Sequence, residues 1–184
     1  MDSLPVLETD RLRLRMPNAE DIPRMVQHAN NKKISNMTLS MPHPYHEKDA
    51  IYWINMANQG FEDKNHFIFA ICKQSDNLFM GGIGLRLNTR FNRAELGFWI
   101  GEPFWNNGYV TEAIGKILEF GFERVGLHKI HASHFVNNPA SGKVMRKNGM
   151  IREGELVDHI KKGDKYLTVI QYRLTKDEYK QSNS

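Results

Sequence analysis

The run FWNNGYVTEA, Phe104–Ala113, holds the residue types most able to do chemistry in this chain. Two aromatic residues lead into Asn106, Asn107 and Gly108. Tyr109, Val110, Thr111 and Glu112 then open a stretch of helical spacing. The first turn of a helix leaves backbone N–H groups without intrahelical acceptors. From Asn107 to Thr111 these groups face one spot. Gly108 can take a left-handed backbone and lets a ligand come close, and the helix dipole adds about half a positive charge. The chemistry is anion binding, and a phosphate or pyrophosphate fits it. Rival phosphate patterns fail. There is no GxxxxGK[ST], so a nucleoside triphosphatase is not expected, and GGIG at 81–84 lies inside a strand-like run instead of between a strand and a helix. Those glycines are expected to relieve crowding or make a bulge.

The other reactive residues are less eloquent. His128, His131 and His134 are three apart, but on the strand expected there His131 faces away from the other two, so no metal site is expected. Cys72 is the single cysteine, which excludes an internal disulfide and any multi-cysteine zinc site. It reads as a small buried hydrophobe.

The elements that must position the loop follow from periodicity. RLRLRM alternates, with Leu12, Leu14 and Met16 on one side, and reads as a half-buried strand. Asn18 caps a helix carrying Ile22, Met25, Val26 and Ala29, which ends at Asn30-Asn31. After the turn Pro42–His46, a second helix is expected with Ile51, Ile54 and Ala57 inward and closure near Gly60. HFIFAICK, LFMGGIGLRLN and RAELGFWIG read as an antiparallel meander. A helix from Val110 to about Val125, the strand HKIHASHFV, and a short helix capped by Asn138 with Pro139 at its first position and Gly149 past its end follow. Two strands joined by KKGD close the pattern, and DEYKQSNS reads as a loose tail. The order is β-α-α-β-β-β-α-β-α-β-β, a single α/β domain over 1–184 with a mixed sheet and an ordered core at about 8–176.

The totals agree with one domain: 184 residues, 40% hydrophobic and 25% charged. No apolar run reaches the ~18 residues of a membrane span, and the N-terminus has no signal-peptide pattern. A reducing cytoplasm is the expected location. The net charge of +4 is spread without a tight basic cluster, so a polyanionic small molecule is favoured over nucleic acid.

FWNNGYVTEA resembles the acyl-CoA pyrophosphate loop of the GCN5-related N-acetyltransferases (GNAT), [RQ]-x-x-G-x-[GA]. It is most similar to the RimJ/RimL-like branch, W-x-x-G-Y-x-[ST]-E-A, through Trp105, Gly108, Tyr109, Thr111, Glu112 and Ala113. Trp105 stands where the general pattern has Arg or Gln, and Val110 where it has Gly or Ala. NNPASGKVMRKNGM resembles that branch's second signature through Asn138, Ser141, Lys147, Gly149 and Met150. The opening ETDRLRLR and the stretch from GELVDHI to YRL are also similar.

The resemblance implies a GNAT-like acyl-CoA N-acyltransferase fold, acetyl-CoA as cosubstrate without a metal, and direct attack by a primary amine. The acceptor is a protein N-terminal amine or a small molecule such as a polyamine or amino sugar; a noncatalytic acyl-CoA sensor is the rival reading. No nucleic acid or membrane partner is implied, and a homodimer is left open. Trp105 to Thr111, including Asn106 and Asn107, would hold the pyrophosphate. The backbone of Phe98, Trp99 and Ile100 would pair with the pantetheine, with Asn138 contributing its amide. Ser141 would donate a proton or hydrogen bond to the departing thiolate, its plain alternative being an ordinary first-turn serine. Glu95, on a strand face with Gly97 and Trp99, would order a water that takes the amine proton, or form a cross-strand salt bridge with an arginine. Glu112 reads as a helix-dipole residue. His43 and His46 would line the acceptor side or sit in a plain surface turn.

Overall fold

The computed structural model describes residues 3–182. The alternation in RLRLR forms strand β2 (Leu12–Arg15), with Leu12 and Leu14 fully buried. It pairs with a two-residue strand, β1 (Leu7–Glu8), too short to announce itself in the sequence. Asn18 caps a single 3-10 turn that feeds α1 (Ile22–Ala29). Asn30 ends α1 as expected, but Asn31 then accepts from the Lys33 N–H and starts a separate short helix, α2 (Lys32–Met37). Only Ile34 and Ser35 of α2 are buried, so it carries no stripe for periodicity to detect.

Helix α3 (Glu47–Glu62) turns Ala57 and Ile54 inward as expected, but not Ile51. Ala50, Ala57 and Gly60 are buried, whereas Ile51 is 43% exposed. Gly60 lies inside the last turn and does not close the helix. A Cβ there would stand 2.6 Å from that of His66, so the approach of the next strand requires the glycine.

That strand is β3 (His66–Lys73), followed by β4 (Phe79–Asn88) and β5 (Arg93–Ile100) in an antiparallel meander. In β4 the glycines relieve crowding: a Cβ on Gly82 would come 2.6 Å from the Trp53 ring. Helix α4 (Tyr109–Glu119) continues as a wider π-helical turn, Phe120–Arg124. Strand β6 (Lys129–Phe135) and helix α5 (Pro139–Lys147) follow, α5 with the Asn138 cap, Pro139 start and left-handed Gly149 that its sequence implies. Strands β7 (Ile151–Lys162) and β8 (Lys165–Thr175) form a long hairpin. The expected loose tail is, as far as Ser182, helix α6 (Lys176–Ser182), and its last two residues lie outside the described residues. Thr175 and Glu178 cap it reciprocally: the Thr175 hydroxyl accepts from the Glu178 N–H at 3.4 Å, and Glu178 accepts from the Thr175 N–H at 2.9 Å.

The eight strands make one sheet in the order β1-β2-β3-β4-β5-β6-β8-β7. Every neighbouring pair is antiparallel except β5 and β6. The main core packs α4, α5 and the π turn on one face through Ile114, Ile117, Phe120 and Met145. A second core under α1 and α3 holds Met25, Ala50, Tyr45 and Cys72 on the other. Among the described residues no helix is long and apolar enough to cross a membrane.

Candidate active site

Because β5 and β6 run parallel, their C-terminal ends reach the same edge of the sheet, and each is followed by a helix. The N-termini of α4 and α5 therefore flank one crevice, the usual ligand position in an open α/β sheet. The strands also part company there. Their pairing covers only Arg93–Glu95 against Lys129–His131, although β5 continues to Ile100 and β6 to Phe135. Beyond Glu95 one edge of β5 is open. Backbone groups alternate sides along a strand. The Gly101 N–H bonds the Met80 carbonyl in β4 at 2.8 Å, so Gly97 and Trp99 also face β4, while Phe98 and Ile100 face the open edge. The Ile100 carbonyl accepts from Trp105 Nε1 at 2.9 Å.

The loop from Trp105 to Gly108 is turned by two left-handed residues, Asn106 at φ 61° and Gly108 at φ 79°. Gly108 caps α4 with no side-chain hydrogen bond to the first-turn N–H groups. The first intrahelical bond is Glu112 N–H to the Gly108 carbonyl, at 3.1 Å. The N–H groups of Tyr109, Val110 and Thr111 therefore have no intrahelical acceptor, which is the arrangement an anion needs. Val110 is half-buried and packs on the main core, so its branched side chain does not stand over the loop. Asn107 braces the turn by donating from Nδ2 to the Trp105 carbonyl at 2.9 Å.

The loop is held from across the chain by a latch that sequence patterns do not show. Arg11 donates from Nη1 to the Asn107 carbonyl at 3.0 Å and from Nε to Glu112 at 2.7 Å, and its guanidinium lies 4.9 Å from the Tyr109 ring centre. Glu112 also accepts from the Thr9 hydroxyl and the Arg11 N–H. Burial pushes the Glu112 carboxyl up, but these hydrogen bonds outweigh it and hold the group below the usual carboxylate range. Glu112 is thus a tether to the β1–β2 turn as well as a first-turn acid. Under the other end of the loop, the His28 ring packs 5.2 Å from Phe104 and fills the space where a Cβ on Gly101 would be.

On the α5 side, Asn138 accepts from the Ser141 N–H at 3.4 Å. Ser141 is half-buried, and among the described residues its hydroxyl has no hydrogen-bond partner. The helix can sit this close because residue 142 is glycine: a Cβ there would stand 2.6 Å from His134 Nε2. His134 in turn stacks on Tyr172, whose hydroxyl accepts from Arg146 at 2.7 Å.

On the opposite face of β5 stand Glu95, Gly97 and Trp99. Glu95 is exposed and in register with Arg86, yet it makes no ion pair or hydrogen bond among the described residues. Trp99 packs with Phe79 and Trp53 in the second core. Lys162, near the tip of the β7–β8 hairpin, donates to the carbonyls of Ser35 and Thr38 at 2.5 and 2.7 Å, joining the hairpin to the end of α2. His43 and His46 are exposed before α3. Cys72 is fully buried away from the loop, and burial pushes its thiol up to about 12. Among the described residues no group of three His, Cys, Asp or Glu could hold a metal ion.

Residues 11–151 match the model of the acetyltransferase (GNAT) domain. The uncharacterized N-acetyltransferase YoaA of Bacillus subtilis is 30% identical over 83% of this chain and 86% of its own. The spermidine N(1)-acetyltransferase of Vibrio cholerae is 23% identical over 92% of this chain and 95% of its own. The [ribosomal protein uS5]-alanine N-acetyltransferase of Escherichia coli is 23% identical over 84% of this chain and 82% of its own. A GNAT-family acetyltransferase from Bacillus anthracis superposes with a TM-score of 0.82 at 23% identity, covering 94% of this chain and 99% of that one. The acetyltransferase MccE, solved with acetyl-CoA and AMP, does so at 0.81 and 19% identity, covering 91% and 93%. With the domain match spanning most of the chain, this protein belongs to the GNAT family and is an acetyl-CoA-dependent N-acetyltransferase.

Proposed function

We propose that this protein transfers the acetyl group of acetyl-CoA to a primary amine by direct attack, a protein N-terminal amine being the first reading of the acceptor. The observation that carries the site is the open edge of β5 flanked by two helix starts. The pyrophosphate sits on the N–H groups of Tyr109, Val110 and Thr111 at the Gly108 cap, within the loop of Trp105, Asn106 and Asn107. The pantetheine runs as an added strand along β5. Phe98 and Ile100 supply the backbone groups on the open side, Trp99 lies between them, and Asn138 adds its amide from α5. Ser141 donates to the thiolate as it leaves, and Glu95 stands on the acceptor face.

The small-amine reading is kept because relatives of both kinds exist: one is named for spermidine, another for the uS5 alanine. The deciding experiment offers purified protein and acetyl-CoA to N-terminal peptides, polyamines, aminoglycosides and amino acids while thiol release is followed, with acetyl-CoA binding measured by calorimetry. Release with the alanine-terminated peptide alone supports the first reading. Release with spermidine alone moves the acceptor to the small-amine class. Binding without release from any acceptor turns the reading to a sensor.

The latch gives a separate expectation. Arg11→Ala frees the Asn107 carbonyl and the Glu112 carboxylate but leaves the N–H groups in place. The pair is partly exposed and screened, so KM for acetyl-CoA rises about three- to tenfold while kcat stays near wild type. A fall in kcat at unchanged KM would show that the latch does not act on the donor loop.

A further inference from the structure

Parallel pairing sets Glu95 of β5 against His131 of β6, so the two side chains share the acceptor face of the sheet. They form the last bridged pair before the strands diverge. Two positions further along β5 the face continues as Gly97, and a Cβ built there would meet nothing within 4 Å. There is open space directly beside the pair, at the point where a chain laid along the open edge of β5 ends its run. Glu95 is exposed and His131 half-buried, and neither side chain makes a hydrogen bond or ion pair among the described residues.

The charged groups facing His131 are Glu95 and Arg93 on β5, Lys129 on its own strand, Glu153 on β7, and Arg173, in register on β8. Burial lowers the imidazole first; Glu95 pulls it back up, but the net shift stays below the ordinary histidine value. Burial thus favours the neutral imidazole, and Glu95 stands in register to stabilise the imidazolium once it forms. Of the two side-chain types, the imidazole is the more basic and so the better acceptor for an amine proton.

We propose that His131 takes the proton from the incoming amine and that Glu95 steadies the resulting imidazolium, which rests on the acetyl-transfer reading above. The acceptor arrives as an ammonium ion. One N–H bond breaks and its proton forms an N–H bond on the His131 imidazole. The freed lone pair makes the C–N bond to the acetyl carbonyl as the C–S bond breaks. A second amine proton passes through the Ser141 hydroxyl to the thiolate, and His131 returns its proton to water. The sum is an ammonium ion and a thioester giving an amide, a thiol and one proton, with no oxidant, reductant or metal required.

The test is the pH profile of kcat/KM in wild type, His131→Gln and Glu95→Gln, followed by thiol release with spermidine or, if that is not turned over, an alanine-terminated peptide. In wild type the profile is flat between the titration of His131 and that of the amine. His131→Gln lowers kcat/KM at pH 7 about 10²-fold and replaces the plateau by a tenfold rise per pH unit, because only amine already deprotonated can react. Glu95→Gln keeps the plateau but moves its acid limb to lower pH, since removing the carboxylate destabilises the imidazolium. Calorimetric binding of acetyl-CoA reports that each variant is folded, and His131→Asn serves if the glutamine fails that check. A plateau kept in His131→Gln overturns the proposal, and a plateau lost only in Glu95→Gln gives the proton to Glu95. A wild type that releases no thiol with any amine of the panel above overturns the acetyl-transfer reading, and this inference falls with it.

Discussion

Ser141→Ala is expected to lower kcat about 10²-fold, the low end of what a positioned proton donor contributes, while KM for acetyl-CoA and the melting temperature stay near wild type. The separation follows from which atoms of Ser141 are in use. Its N–H, and not its hydroxyl, bonds the Asn138 cap, so alanine keeps the helix start intact. The hydroxyl has no partner among the described residues, so its removal strands no buried polar group. Asn138→Ala is the less clean companion. It removes the cap itself, at about 1 kcal/mol, and so lowers stability and turnover together. Single-turnover thiol release on both variants, beside thermal melts, separates the two effects. A Ser141→Ala protein that turns over within about threefold of wild type would falsify the donor role and leave an ordinary first-turn serine.

The parts of this site that were legible in the sequence are those whose signals are local. Asn138, Pro139 and Gly149 mark a helix start and stop by their own backbone preferences, and α5 follows them. The loop from Trp105 to Thr111 announces itself because a glycine cap without a competing side chain is a short-range feature. Leu12 and Leu14 alternate with arginines and are buried accordingly. What was missed depends on pairing across the chain. Arg11 and Glu112 are 101 residues apart, and nothing local to either says that one will brace the loop of the other. The early end of β5–β6 pairing, which opens the strand edge, is likewise a property of two strands and the helix between them. His131 looked unremarkable as one of three spaced histidines; only its register with Glu95 gives it company. Helix α6 is a different kind of miss, since Thr175 and Glu178 carry a capping-box signature that a tail composition concealed.

Gly108→Val should abolish tight acetyl-CoA binding, raising Kd at least about 10²-fold, or roughly 2.7 kcal/mol. Two effects add. The residue sits at φ 79°, where a β-branched side chain is a steric outlier, so the turn must shift and the N–H groups of Tyr109, Val110 and Thr111 lose their common aim. The valine side chain would also project from the loop at the place where the pyrophosphate has to come close. The fold should survive, because Gly108 is exposed and its added Cβ would meet only Arg11 Nη2, at 3.4 Å. Asparagine tolerates the left-handed region far better than valine, so Gly108→Asn tests bulk with the backbone held and should lose less affinity. Calorimetry on the two variants ranks the causes. If asparagine binds nearly as well as glycine, the backbone conformation carries the site. If it binds as poorly as valine, the close approach of the anion does. Wild-type affinity in Gly108→Val would mean that the donor's phosphates are held elsewhere, and the open edge of β5 would then have to account for donor binding without the α4 start.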